Sequence, residues 1–133
     1  MRMTIASGYA LRVVTYMAKK NSKNIFMRSE LSKECDIPDS FLGKILQSLT
    51  KSNILSSIRG KYGGYKLAKN IEDITIYDVI IAVEGENFIY LNKCLFDNNF
   101  CKHIKECTIR KALKKINNNF IKELKSYNIK SLI

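Results

Sequence analysis

The chain has 133 residues, 46% of them hydrophobic, and a formal net charge of +11. That length suits one domain with a modest core, and the composition excludes a disordered chain. Its apolar runs stay well short of the roughly 18 residues of a membrane span, and residues 1–10 alternate polar and apolar rather than forming a leader, so the expected location is the reducing cytoplasm.

The charge is uneven. Residues 1–70 carry thirteen Lys and Arg against four Asp and Glu, whereas residues 71–133 carry ten against eight. A basic first half points to a polyanion, and nucleic acid is the commonest one; the competing reading is solvated lysine decoration. Ala6, Tyr9, Ala10, Val13, Val14 and Met17 recur at three- and four-residue steps, which predicts an amphipathic helix over residues 4–20. The polar stretch Lys19 to Asn24 ends it. A short second helix is expected from Arg28, with Ser29 as its cap, closing at Pro38 because proline disfavours helical geometry in the residue before it. Asp39 or Ser40 is the expected cap of a third helix, whose apolar positions are Phe41, Leu42, Ile45, Leu46 and Leu49.

Two short helices around a tight turn describe either a helix-turn-helix or an ordinary helical hairpin. The segment after the third helix favours the first. Residues 54–59 read as a strand, Gly60 to Gly64 as a glycine-rich turn, and Tyr65 to Leu67 as the return strand. This is a basic two-stranded wing, with Arg59, Lys61, Tyr62, Gly63 and Gly64 at its tip. The fold class expected is mainly α: a winged helix-turn-helix with a small β wing and a long C-terminal dimerisation helix. Ser40 and Lys44 are placed at the major groove and Arg59 in or beside the minor groove. Arg2, Thr4, Arg28 and Ser29 are lesser candidates for contacts to the DNA backbone.

The second half carries the chain's other signal. Cys94, Cys101 and Cys107 fall within fourteen residues, spaced Cys-x6-Cys-x5-Cys, and the remaining cysteine, Cys35, reads as a buried small hydrophobe. Three thiolates are one short of a closed four-ligand site. Beyond them Ile109, Ala112, Leu113, Ile116, Phe120, Leu124 and Tyr127 make an apolar stripe at helical spacing, with lysines mostly off it. A helix of that length either packs against a second subunit, through Ile109, Leu113, Ile116, Phe120 and Leu124, or forms part of the monomer core. No nucleophile–base pair, phosphate loop, paired carboxylates or Cys-x-x-Cys is present, so an enzyme is not expected.

Met1-Arg2-Met3-Thr4 with Tyr9-Ala10-Leu11, the wing Arg59 to Ala68, the segment Ile74 to Gly85 and the cysteine triplet together resemble the Rrf-two family of bacterial winged-helix transcription regulators. That family includes the iron–sulfur regulator IscR and the nitric-oxide sensor NsrR. The stretch from Cys101 to Leu113 is closer to the nitric-oxide-sensing type. The resemblance spans essentially the whole chain. It implies a winged helix-turn-helix over 1–70, a linking helix over 71–88, a cysteine loop over 89–106, and a dimerisation helix with a C-terminal segment over 107–133, in one compact domain. It also implies a cytoplasmic homodimer on a palindromic double-stranded operator, acting chiefly as a repressor.

The resemblance further implies an iron–sulfur cluster (4Fe–4S or 2Fe–2S) on Cys94, Cys101 and Cys107, answering nitric oxide, redox state or iron–sulfur supply. A fourth ligand is unassigned. Relatives supply one at the positions held here by Gly8 and Arg110, and the lone His103, a small molecule or a partner-subunit group are the candidates. Zinc and a metal-free thiol or disulfide switch are the other readings of the triplet, and binding of a metabolic enzyme is an alternative to metal sensing. Family members often carry a larger polar or charged residue where this chain has Gly43.

Overall fold

The computed structural model describes residues 2–21 and 23–133. Met1 of the N-terminal signature, and Ser22 in the polar stretch after the first helix, lie outside the described residues. The first apolar stripe forms helix α1, Ile5–Asn21, and seats Ala10, Val13, Val14 and Met17 fully in the core. Helices α2 (Arg28–Cys35) and α3 (Asp39–Lys51) pack across it. The turn between them is built by Asp36 in the left-handed region, φ 53°, followed by Ile37 and Pro38. Leu31, Leu42, Leu46 and Leu49 are fully buried, each contributing on the order of 1.5–3 kcal/mol of transfer free energy.

The expected caps of α2 and α3 are corrected. The residue before α2 is Met27, extended and without a side-chain cap, so Ser29 lies inside the first turn. Pro38 holds the equivalent place for α3: its carbonyl accepts from Phe41 and Leu42, and Asp39 is already helical. The Asp39 carboxylate turns instead to Arg28.

Strands β1 (Leu55–Ile58) and β2 (Gly64–Leu67) pair antiparallel with Leu55 opposite Leu67 and Ile58 opposite Gly64. Phe26 adds a single bridge to Tyr65, with N–H to carbonyl distances of 2.7 and 2.8 Å, so the wing is anchored to the segment entering α2. The expected linking helix over 71–88 is shorter. A 3₁₀ turn at Ile71–Asp73 precedes α4 (Ile76–Glu84), and another follows at Glu86–Ile89. A reciprocal cap starts α4: Thr75 N–H donates to Asp78 Oδ2 at 2.9 Å while Asp78 N–H donates to Thr75 Oγ1 at 3.1 Å.

A loop with one short 3₁₀ turn at Lys93–Leu95 carries the cysteines to α5, Thr108–Ser126. The chain then turns back: Ile129 is fully buried and its N–H donates to Ile74 O at 2.8 Å, tying the end of α5 to the start of α4. Among the described residues no helix is long and apolar enough to cross a membrane.

Candidate functional site

On α3 the buried residues Leu42, Ile45, Leu46 and Leu49 take one side. Ser40, Lys44, Gln47 and Lys51 stand exposed on the other, as a recognition helix requires. A trough of about 390 Å³ lies between Gln47 and Lys51 on α3 and Ser57 and Tyr65 of the wing, so helix and wing form one continuous surface. Arg59 and Lys61 are exposed at the tip, and Tyr62 is 83% exposed with the Lys61 ammonium 5.7 Å from its ring centre. Arg2, Thr4, Arg28 and Ser29 are exposed as well.

Several of these side chains are already occupied within the chain. Thr4 caps α1 through Ser7 N–H at 3.1 Å and donates its hydroxyl to Glu84 of α4. Arg28 is forked onto Asp39 at 2.8–2.9 Å. The wing glycines answer an internal need: a Cβ on Gly63 would collide with the carbonyl of Ile58, and one on Gly64 with the carbonyl of Phe26. Their close backbone approach is to the protein itself, a constraint that the sequence pattern does not reveal.

The three clustered cysteines line a single hollow of about 170 Å³, walled by Phe100, Ile104, Ile109 and Leu113. Cys107 stands at the N-terminus of α5, where its Sγ accepts from Arg110 N–H at 3.3 Å. Arg110 Nε donates to Cys94 O at 3.0 Å, tying the first turn of α5 to the loop. Arg110 is thus a brace of the hollow. His103 is exposed and does not line it. Cys35 is buried, its carbonyl accepting from Arg12 Nη1 at 2.9 Å, and burial pushes its thiol pKa up.

Three soft sulfur donors facing an apolar hollow suit an iron–sulfur cluster chemically. Geometrically they stand apart: among the described residues no three His, Cys, Asp or Glu side chains are gathered closely enough to hold a metal ion. Ligation by all three would require their side chains to draw together.

On α5 the apolar stripe divides. Ile109, Ile116 and Phe120 are exposed by 69%, 55% and 36%, while Leu113, Ile121 and Leu124 are half-buried and Asn117 is buried within the chain. Asn117 Oδ1 accepts from Leu91 N–H at 2.7 Å, and its Nδ2 has no hydrogen-bond partner among the described residues. Sequence reasoning missed Asn117, Ser7 and Glu84, each a polar residue whose partner lies far along the chain.

Residues 3–133 match the family profile Rrf2, described as an iron-dependent transcriptional regulator. The chain belongs to the Rrf2 (Rrf-two) family. Protein aau3 of Rhizobium meliloti (strain 1021) is 31% identical, over all of this chain and 85% of that protein. A putative HTH-type transcriptional regulator, YffB of Lactococcus lactis subsp. lactis (strain IL1403), is 30% identical over 96% of this chain and 85% of its own length. Among solved structures, CymR, the global cysteine regulator of B. subtilis, superposes with a TM-score of 0.77 at 23% identity, covering 99% of this chain and 95% of that one. T. potens IscR gives 0.74 at 18% identity, covering 99% and 85%. The Rrf2 fold therefore spans the described chain, and the family is one of DNA-binding transcriptional regulators rather than enzymes.

Proposed function

We propose that this chain is a homodimeric repressor that grips a palindromic operator through α3 and the wing, with affinity set by the state of the three-cysteine hollow. An iron–sulfur cluster is the proposed occupant, and nitric oxide, redox state or cluster supply the proposed signal. The observation that carries the reading is the position of the hollow: all three thiols line it at the root of α5, and Arg110 joins loop to helix there.

Ser40 and Lys44 serve as major-groove contacts, Arg59, Lys61 and Tyr62 contact the DNA at the wing, and Arg2 and Ser29 contact phosphates. Gly63 and Gly64 hold the shape of the wing tip. Two basic heads in one dimer make binding steeply salt-dependent, with a slope near 0.9 per phosphate neutralised. Cys94, Cys101 and Cys107 would hold the cluster, which supplies iron sites that take up small ligands and exchange electrons. Arg110, which joins loop to helix, would pass a change in the loop to the first turn of α5, and Glu84 ties the far end of α4 to the start of α1. Sensor and operator are then two sites coupled through one framework.

The test is operator binding under anaerobic conditions by cluster-loaded protein, by apoprotein, and by loaded protein after nitric oxide, with visible absorption recorded in parallel. Loaded protein binds best in this reading; equal affinity in all three states rejects the sensor. A thiol–disulfide switch is the second reading, favoured by the exposure of Cys101. A colourless protein whose operator binding changes with a mild oxidant and recovers with dithiothreitol selects it.

A further inference from the structure

Arg28 lies across the flank of the recognition helix with part of its guanidinium committed and part free. Its Nε donates to Asp39 Oδ1 at 2.9 Å, and its Nη2 donates to Asp39 Oδ2 at 2.8 Å and to the Asp39 carbonyl at 2.9 Å. Those three bonds use the single Nε hydrogen and both Nη2 hydrogens. Both hydrogens on Nη1 have no partner among the described residues, and the side chain remains 44% exposed.

The group fits there because residue 43 is glycine. A Cβ at Gly43 would stand 2.7 Å from Nη2 and 3.0 Å from Cζ, closer than non-bonded atoms tolerate. Gly43 and Asp39 immediately precede Lys44 and Ser40, so this flank borders the exposed face of α3. A residue of α2 thus occupies the volume that a side chain at position 43 of α3 would fill. Asp39 also holds the fork still, so little side-chain freedom remains to be lost on binding.

We propose that Arg28, cradled by Gly43 and locked by Asp39, is a base-reading residue of this chain, donating from Nη1 to guanine O6 or N7 in the major groove. This rests on the operator-binding function proposed above and gives its recognition surface a specificity determinant. Arginine to a guanine edge is the commonest base-specific contact. Asp39, which alone would repel the phosphates, becomes the positioning residue of that contact.

The test is selection from a double-stranded DNA pool randomised over about three helical turns, using the unmodified protein, Arg28→Ala, Arg28→Lys and Gly43→Ala. Gly43→Ala leaves every polar group in place, favours helix, and displaces the guanidinium. The unmodified protein should select a motif with a guanine in each half-site. All three variants should lose preference at that one base pair by roughly five- to tenfold, the low end for arginine–guanine contacts, with Arg28→Lys keeping most of the total affinity. Identical motifs for all four proteins overturn the inference and leave the operator reading standing. A uniform loss across sequences with the salt slope reduced by about one identifies a phosphate contact and also overturns it. Selection of no motif by the unmodified protein overturns both readings together.

Discussion

Ser7, completely buried in the first turns of α1, donates its hydroxyl to Glu84 Oε1 at 2.9 Å, and Glu84 is the last residue of α4. Thr4 donates to the same oxygen. One carboxylate therefore joins the start of α1 to the end of the helix that leads into the cysteine loop. Its negative charge also lies against the positive end of α1. Removing the acceptor leaves a buried hydroxyl without a partner, so Glu84→Ala is expected to cost about 1–3 kcal/mol, with Glu84→Gln costing less. Urea denaturation followed by far-UV circular dichroism measures it, and a Ser7→Ala/Glu84→Ala double-mutant cycle should give a clear coupling energy. A coupling of zero would mean the clasp contributes nothing.

The four cysteines should separate by environment. Cys101 is exposed, Cys94 and Cys107 are half-buried, and Cys35 is buried with its pKa raised by desolvation, an effect that nearby Arg12 partly opposes. Timed alkylation with iodoacetamide and mass spectrometry should label Cys101 first and Cys35 only on unfolding. A thiol whose folded pKa exceeds its unfolded one favours folding below the ordinary thiol range, and that contribution is lost as pH rises through the raised value. Cys35→Val should therefore flatten part of the alkaline loss of stability. Early labelling of Cys35 at neutral pH contradicts the buried assignment.

The reciprocal cap at Thr75 and Asp78 sets where α4 begins. Asp78→Ala removes the acceptor of both the Thr75 N–H and the Thr75 hydroxyl, and is expected to destabilise by about 1 kcal/mol. Thermal melts of the variant beside Thr75→Ala check this. Similar losses in the two singles and little more in the double would show one shared motif rather than two independent bonds.

The parts of the fold that are legible in the sequence are those with local causes. The apolar steps of α1 and α3, Pro38 after α2, and the glycine-rich turn of the wing each act over a few residues, and each element stands within a few positions of its reading. The caps are misplaced because Ser29 and Asp39 are good cap residues on sequence alone; backbone entry from Met27 and Pro38 places the helix starts earlier, leaving Asp39 free for Arg28. Glu84 with Ser7, Asn117 with Leu91, and Arg110 with Cys94 are not legible, since each pairs residues 16 to 77 positions apart. Three cysteines can be counted from the sequence; that they share a hollow, and that Arg110 braces it, cannot be read there.

The apolar stripe of α5 reads as one surface in the sequence, yet it faces two ways, and this separates assembly from folding. Ile121 is half-buried, one helical turn before Lys125, whose Nζ sits 4.5 Å from the Tyr77 ring centre of α4. Ile121→Ala should lower stability by about 1–2 kcal/mol, less than a fully buried isoleucine would. Ile116 and Phe120 stand exposed on the adjacent face, where three large apolar side chains with Ile109 are not expected to remain wet. Ile116→Glu should leave the fold and melting temperature of the subunit nearly unchanged while converting a dimer to a monomer in sedimentation equilibrium. Operator affinity should fall with it, because two half-sites are no longer held by one particle. A monomer mass for the unmodified protein across the concentration range would instead make this face a surface for some other partner. Loss of helicity in Ile116→Glu would mean that the exposed face supports the subunit itself.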